Sequence, residues 1–284
     1  MKKTLITTIA LGALIGSTTV SCGNSNNTIK VAASETPHAQ VLKSEAVQNA
    51  LSEKGYTLKV TVLDWTQQNT AVENGDYDAN YFQHRQYLQT WEGNTTYSES
   101  YEYKKLFPVV AVHSEPLRIY KNKERNVALD KNATFEICSD PSNAVRALDL
   151  LKRENLIDGY ELDANGNIVL ENGKPKGAQN VTLIDESLLA AGLSSVDYGV
   201  LPVNTALTGN IDIDENLPVE SQEDREYRAN VLAASVTRYA GDQEYKAKID
   251  ALADVLVSSV TSDVLVSLYS GKIVATPVDY RASK

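Results

Sequence analysis

The sequence predicts an open α/β fold with two lobes and a ligand cleft between the lobes. Three observations carry this prediction: a strand, a helix and a strand over residues 29–62, a proline that separates two strands at Pro116, and a polar, aromatic stretch at residues 75–88. A strand, a helix and a strand within about 35 residues form a right-handed βαβ unit with parallel strands, which is the usual start of such a sheet.

The overall composition is that of a soluble globular protein. The chain has 284 residues, of which 42% are hydrophobic and 23% are charged, and this length suits one large domain or two smaller ones. Its net charge of -10 argues against nucleic acid as a partner, because binding to a phosphate backbone needs a basic face. No P-loop, dinucleotide fingerprint or metal-type cysteine spacing occurs, so we predict no cofactor and no bound metal.

The N-terminus has the pattern of an export signal. Two lysines are followed by an apolar run at residues 5–15 and then by small residues up to Cys22. The apolar run is too short for a permanent membrane span. The small residues before Cys22 and the polar residues after it are typical of a bacterial lipobox. We therefore predict a signal peptide at 1–21, a lipid anchor at Cys22 and a tether at 22–27; an ordinary cleaved signal that ends near a cysteine is the alternative.

The first predicted unit has strands at 29–33 and 58–62 and a helix between them. Thr36 is predicted as the helix N-cap and Pro37 as the first helical residue, where its missing N–H costs nothing. Apolar residues then recur at helical spacing until Gly55, a natural helix end.

Three loops of this unit are predicted to form one wall of a cleft. In open α/β sheets, ligands bind beyond the carboxyl ends of the strands, which here lead into residues 34–38 and into Asp64 and Trp65. The stretch 75–88 follows and contains carboxylates, an amide, an imidazole, a guanidinium and aromatic rings. We interpret it as a turn that continues into a helix, since it is too polar for a core element.

A crossing into the second lobe is predicted near Pro116. Residues 109–112 and 117–120 have strand character, and a proline between strands normally marks an edge or a break. A new strand is predicted at 134–138, followed by a helix that begins after Ser139 with cap residues and a proline.

This helix offers a site for a carboxylate. Asn143 and Arg146 are three residues apart and share one face of its first turn. Free backbone N–H groups, the helix dipole and a forked guanidinium together bind an anion well. A capped surface helix with a solvated arginine fits the same local sequence.

The remaining chain supplies two further polar positions. A strand predicted at 196–203 delivers Asn204 to a loop, and a mostly apolar strand predicted at 229–236 contains Asn230. An amide among strand hydrophobes needs a hydrogen-bond partner if it is buried. Two core helices are predicted from apolar spacing at 242–258 and 262–269.

Several motifs follow one another in an order that is characteristic of one receptor family. They lie at residues 33–42 with Pro37-His38-Ala39, at 76–88 with Phe82-Gln83-His84, at 112–117 with His113-Ser114-Glu115-Pro116, at 140–143 with Arg146, and at Asn204-Thr205. With these motifs the chain resembles the NlpA-type bacterial methionine-binding lipoproteins, which are the extracytoplasmic receptors of methionine ABC importers. The resemblance covers nearly the whole chain after residue 27.

The resemblance implies a two-lobed periplasmic-binding-protein fold of type II-like architecture, with the ligand in the cleft between the lobes. Lobe 1 would comprise residues 28–115 and 229–284, and lobe 2 residues 116–228. The implied function is capture of methionine, as the L-isomer, the D-isomer or a close derivative, for a membrane-embedded ABC importer that consists of permease and ATPase. Such a receptor is a monomer held by its lipid anchor on the extracytoplasmic side of the cell membrane, either in a periplasm or on the outer face, and it is not an enzyme.

The resemblance also implies the ligand contacts. The thioether chain would lie between Trp65 and Phe82, where a polarizable sulfur gains from aromatic faces. Arg146 would pair with the carboxylate. Polar contacts to the carboxylate or the ammonium would come from His84, Asn143, Asn204 and Asn230.

A metal-ion receptor of an ABC importer is the alternative function. His38, His84 and His113 occur in an acidic, exported chain, and imidazoles are good zinc ligands. This hypothesis requires the histidines to meet in one site.

An exported hydrolase is a third hypothesis. It would use Cys138, or a carboxylate pair such as Asp76 and Asp78, but no nucleophile and base stand out together. The apolar run around Cys138 favours a buried strand thiol instead.

Overall fold

The computed structural model describes residues 27–283, so the predicted signal peptide at 1–21 and the predicted lipid anchor Cys22 lie outside the described residues. The strands are β1 (Thr28–Ala33), β2 (Thr57–Val62), β3 (Ala79–His84), β4 (Leu106–Ser114), β5 (Leu117–Lys121), β6 (Phe135–Cys138), β7 (Leu170–Glu171), β8 (Lys174–Pro175), β9 (Val181–Ile184), β10 (Tyr198–Pro202), β11 (Asn230–Ser235) and β12 (Val274–Asp279). The helices are α1 (Gln40–Lys43), α2 (Glu45–Glu53), α3 (Trp65–Glu73), α4 (Arg85–Trp91), α5 (Pro141–Arg153), α6 (Leu189–Gly192), α7 (Val203–Thr208), α8 (Gln222–Tyr227), α9 (Val236–Gly241), α10 (Gln243–Leu256) and α11 (Ser259–Tyr269).

Two mixed sheets organise these elements. The larger sheet has the strand order β12-β4-β11-β3-β1-β2, and the smaller has the order β5-β10-β6-β9. β4 belongs to the larger sheet and β5 to the smaller, with Pro116 between them. The chain returns to the larger sheet at β11, so two segments connect the sheets.

The predicted N-terminal βαβ unit is confirmed. β1 pairs in parallel with β2 from Thr28 opposite Thr57 to Ala33 opposite Val62. A π-helical turn at Glu35–Ala39 leads into α1; Thr36 within it is extended, and its hydroxyl accepts from the Gln40 side chain. The helical residues divide at Ser44, whose hydroxyl donates to a carbonyl of α1 and accepts the N–H of Val47 at the start of α2. A serine that bonds to the backbone in this way competes with helix continuation.

The interpretation of residues 75–88 as a turn and a helix was wrong in its central part. Residues 79–84 form β3, a fully buried strand inside the larger sheet. The polar strand is tolerated because Asn69 on α3 accepts from the amides of Asn80 and Gln83 at 2.8 and 2.6 Å and donates to Gln83 Oε1 at 2.8 Å. Buried amides that satisfy one another carry little desolvation penalty.

Each sheet has its own hydrophobic core. The core of the larger sheet includes the predicted apolar face of α10, with Tyr245, Ile249, Leu252 and Leu256 buried. A second core packs α5 against the smaller sheet. As predicted, Cys138 is a buried strand thiol, and burial raises the pKa of this thiol, which removes it as a nucleophile at neutral pH.

The C-terminal part differs from the prediction in two places. Asn204 lies in the short helix α7 and not in a loop, because the chain turns helical directly after the last residue of β10, Pro202. β12, an edge strand of the larger sheet after the last predicted helix, was not predicted. Among residues 27–283 no single helix is long and apolar enough to cross a membrane; α10 and α11 meet those criteria only as a pair bent by 53°.

Candidate functional site

A cleft of about 460 Å³ lies where elements of the two sheets face each other. One wall consists of residues from β3, α3 and α4, and the opposite wall of residues from α5, α6 and α7. All seven side chains that were predicted as ligand contacts line this cleft: Trp65, Phe82, His84, Asn143, Arg146, Asn204 and Asn230.

Three aromatic rings form the apolar part of the cleft. Trp65 is the first residue of α3, behind the N-cap Asp64, and Phe82 projects from β3. Tyr87 joins them, with its ring centroid 5.1 Å from Trp65 and 5.7 Å from Phe82. Tyr87 lies in α4 and lines the cleft, because the chain turns from β3 into α4 at His84.

His84 connects the two walls. Its Nδ1 accepts the backbone N–H of Tyr87 at 3.1 Å and so caps α4. Nε2 therefore carries the proton and donates to Asn143 Oδ1 at 3.1 Å, across the cleft. Burial, together with the charges of Arg146 and Arg228, lowers the pKa of His84 to about 3, so the imidazole is a neutral donor.

Arg146 is held by both segments that connect the sheets. Its Nε donates to Glu220 Oε2 at 2.5 Å and Nη2 donates to Glu220 Oε1, while Nη2 also donates to the carbonyl of Glu115 at 2.9 Å. Glu220 Oε1 accepts the N–H of Leu117 as well. Among the described residues Nη1 makes no hydrogen bond, and Arg146 is 6% exposed on the cleft wall. This nitrogen is a donor that a bound carboxylate can use.

Asn204 and Asn230 contribute amides from two different elements. Asn204 Oδ1 is buried in α7 and has no partner among the described residues. Asn230, the first residue of β11, accepts at Oδ1 from His38 Nε2 at 3.2 Å. The buried amide thus has the partner that its strand position demanded.

A buried network lies behind Asn230. Glu115 Oε1 is 2.9 Å from His113 Nε2 and 3.5 Å from His38 Nε2, and the Tyr81 hydroxyl contacts His113 Nδ1. Of this network, Glu115 and Asn230 reach the cleft lining. Burial lowers the pKa of His38 to about 4 and that of His113 to about 3, and it raises the pKa of Glu115 to about 7.

The metal hypothesis fits this geometry only in part. Donor atoms of His38, His113 and Glu115 lie within 4.8 Å of one another, which is close enough for a shared ion. His84, the third histidine of the hypothesis, bonds to Asn143 in a different part of the cleft. Since His113 and His38 already donate within the network, we interpret the cluster as hydrogen-bonded support for the cleft.

Two glutamates were missing from the predicted contact residues. Glu115 lies in the motif His113-Ser114-Glu115-Pro116, directly before the proline that separates the two strands. A charged residue at that position could have been predicted to line the cleft. Glu186 lies in the turn before α6, lines the cleft and has its pKa raised to about 7 by burial. Nothing in the local sequence distinguishes Glu186 from a surface carboxylate.

The sequence matches a known protein family and several of its members. The NlpA lipoprotein family matches residues 29–276. The methionine-binding lipoprotein MetQ of Bacillus subtilis is 32% identical over 281 residues, which cover 93% of this chain and 96% of that protein. The D-methionine-binding lipoprotein MetQ of Escherichia coli O157:H7 is 30% identical and covers 84% of this chain and 92% of its own length.

A solved structure also resembles the chain in fold. The structure of a nutrient-binding protein from Burkholderia cenocepacia bound to methionine superimposes with a TM-score of 0.69 at 26% identity, and the match covers 87% of this chain and 99% of that one. Together with the family match over residues 29–276, this similarity shows that the chain belongs to the NlpA lipoprotein family.

Proposed function

We propose that the chain is the extracytoplasmic substrate-binding lipoprotein of an ABC importer and captures methionine or a close relative in the cleft. One observation carries the proposal: three aromatic rings and an arginine held by the connecting segments line the same cavity. This combination suits an amino acid with a long, polarizable side chain. Relatives that are named as methionine-binding lipoproteins support the same ligand.

In the proposed complex the thioether chain lies beside Trp65, Phe82 and Tyr87. The carboxylate accepts from Arg146 Nη1 and from Asn143. A ligand in this position bridges both walls, which gives it more contact in a closed cleft than in an open one. Binding would therefore favour closure, and the closed form is the one that a membrane-embedded permease can distinguish from the empty receptor.

We further propose lobe boundaries at 115/116 and 228/229, and acylation of Cys22 as the attachment to the outer face of the membrane. Mass spectrometry of the chain extracted from membranes tests the anchor: the N-terminal peptide should begin at Cys22 and carry lipid. A Cys22→Ala variant should appear in the soluble extracytoplasmic fraction. Recovery of an unmodified peptide that begins elsewhere would contradict the anchor but not the binding function.

Calorimetry on the chain that begins at Gly23 tests the ligand. The protein should be unfolded and refolded to strip any carried-over molecule, and then titrated with a panel of amino acids. Methionine or a methionine-like compound should bind with a stoichiometry of about one. Binding of none of them by refolded protein would exclude the proposal, as would equal affinities for methionine and for polar amino acids of similar length.

A further inference from the structure

Glu115 places a buried carboxylate on the wall of the cleft, at the point where the chain passes from β4 to β5. We propose that Glu115 binds the α-ammonium group of the ligand and makes the receptor selective for α-amino acids over carboxylic acids. This assignment rests on the proposed function as a receptor for methionine. It identifies a specificity residue that lies outside the contacts expected from the sequence.

The network behind Glu115 offsets part of the cost of burying its charge, while burial itself raises the pKa of the carboxyl to about 7. His113 contacts the Tyr81 hydroxyl at Nδ1 and Glu115 Oε1 at Nε2, so its Nε2–H donates to the carboxylate when Nδ1 accepts from the hydroxyl. His38 Nε2 lies 3.5 Å from the same oxygen and hydrogen-bonds to Asn230 Oδ1 at 3.2 Å. Neutral imidazoles beside the carboxylate can stabilise its negative charge without supplying a competing cation.

The other carboxylate oxygen remains available to a ligand. Glu115 Oε2 makes no hydrogen bond with any of the residues 27–283, and the side chain is 7% exposed where it lines the cleft. Asn204 Oδ1, on the opposite wall, is a buried acceptor that also has no partner in this range. An ammonium group has three donors and no acceptor, so it satisfies both oxygens at once.

The position of Arg146 makes this an α-amino acid site. Its Nη2 donates to the carbonyl of Glu115 itself, so guanidinium and carboxylate flank one stretch of wall. An α-amino acid carries its carboxylate and its ammonium on a single carbon and can reach both groups together. Glu220 already neutralises Arg146, and Glu115 and Glu186 leave the lining acidic. An anion without an ammonium group therefore meets net repulsion.

Calorimetry with two ligands tests the assignment. Refolded chain that begins at Gly23 is titrated with methionine and with 4-(methylthio)butanoate, which has the same carboxylate and thioether but no ammonium. The wild type should prefer methionine by about 100-fold. Glu115→Gln should weaken methionine binding by about 100-fold and should not weaken binding of the butanoate, so that the preference disappears. Glu53→Gln, which alters an exposed glutamate of α2 outside the cleft, should retain the preference.

Each outcome decides one claim. Equal losses for both ligands in Glu115→Gln, or a retained preference, would overturn the ammonium assignment while the receptor function stands. Failure of the wild type to bind methionine would overturn the proposed function itself. If Glu115→Gln does not fold, as judged by circular dichroism, Glu115→Asp gives the same test. Aspartate is one methylene shorter, so its carboxylate lies farther from the ligand. This variant should weaken binding of methionine but not of the butanoate.

Discussion

Arg146 and Glu220 form a buried ion pair in which Nε and Nη2 of the guanidinium face the two carboxylate oxygens. Glu220 is 3% exposed and also accepts the N–H of Leu117, the first residue of β5. The pair thus ties helix α5 to both segments that connect the sheets. It also occupies Nε and Nη2 and leaves Nη1 without a partner among the described residues, which links the stability of this region to ligand binding.

Removal of one partner of this pair should destabilise the protein. Glu220→Ala leaves a buried guanidinium without its counter-charge, which costs about 3–5 kcal/mol of the free energy of unfolding. Urea denaturation monitored by circular dichroism measures the loss. The control is Asp212→Ala, which breaks an exposed pair with Lys123 and should cost less than about 1 kcal/mol. Similar losses in both variants would contradict a structural role for the buried pair.

The aromatic wall should distinguish sulfur from methylene. Phe82→Leu keeps an apolar side chain but removes a ring, so it should reduce methionine affinity by a sulfur–aromatic contribution of about 0.3–1.5 kcal/mol. The affinity for norleucine, which has a methylene in place of the sulfur, should fall less in this variant. Competition calorimetry with both ligands measures the difference, with Tyr56→Leu, a site packed against the core of the larger sheet, as control. An equal loss of affinity for both ligands would mean that the ring contributes only buried apolar surface and no specific contact with sulfur.

The amide cluster beneath the cleft should be needed for stability. Asn69→Leu removes the acceptor of the Asn80 amide and the donor to Gln83 Oε1, while Gln83 Nε2 keeps Asn80 Oδ1; the expected cost is about 1–3 kcal/mol. Gln67→Leu on the exposed face of the same helix is the control and should change stability by less than about 0.5 kcal/mol. A neutral Asn69→Leu variant would show that β3 does not depend on this cluster.

Glu136 should make stability depend on pH. Burial raises the pKa of this strand carboxyl from 4.5 to about 7, and its Oε1 has no partner among the described residues. Between pH 4.5 and 7 the native state therefore holds more protons than the unfolded state, so this group lowers stability as pH rises through that window. Glu136→Gln removes the dependence.

The variant should accordingly be more stable than the wild type at pH 8, by at most about 3 kcal/mol. The advantage should shrink as the pH falls and vanish near pH 4. Denaturation curves of both proteins across this range measure the effect. A constant difference at all pH values would show that the carboxyl does not titrate between the native and unfolded states in this range.

Local patterns predicted much of the scaffold, and the resemblance to the receptor family supplied the seven predicted contact residues that line the cleft. Alternation and caps predicted β1, β2 and α5, because there the hydrophobic period and the cap residues agree with the fold. β3 was missed because its buried amides are paired by Asn69, a residue outside the strand, and no local pattern encodes that partner. Tyr87 was not among the predicted contacts, since the turn at His84 brings it to the cleft.

The position of Glu220 depends on tertiary structure alone. It lies 74 residues from Arg146, in a polar segment that resembles an exposed connection. Spacing rules relate residues within one element, so they cannot predict which distant carboxylate will neutralise a buried arginine. Glu186 escaped prediction for the same reason.

The position of the bound side chain tests the central claim most directly. A crystal of refolded, unlabelled protein with free selenomethionine contains selenium only in the ligand. Anomalous diffraction should show one selenium peak beside Phe82 and Trp65, with density for the carboxylate at Arg146. A peak outside this cleft, or a cleft without selenium at saturating ligand, would contradict the account.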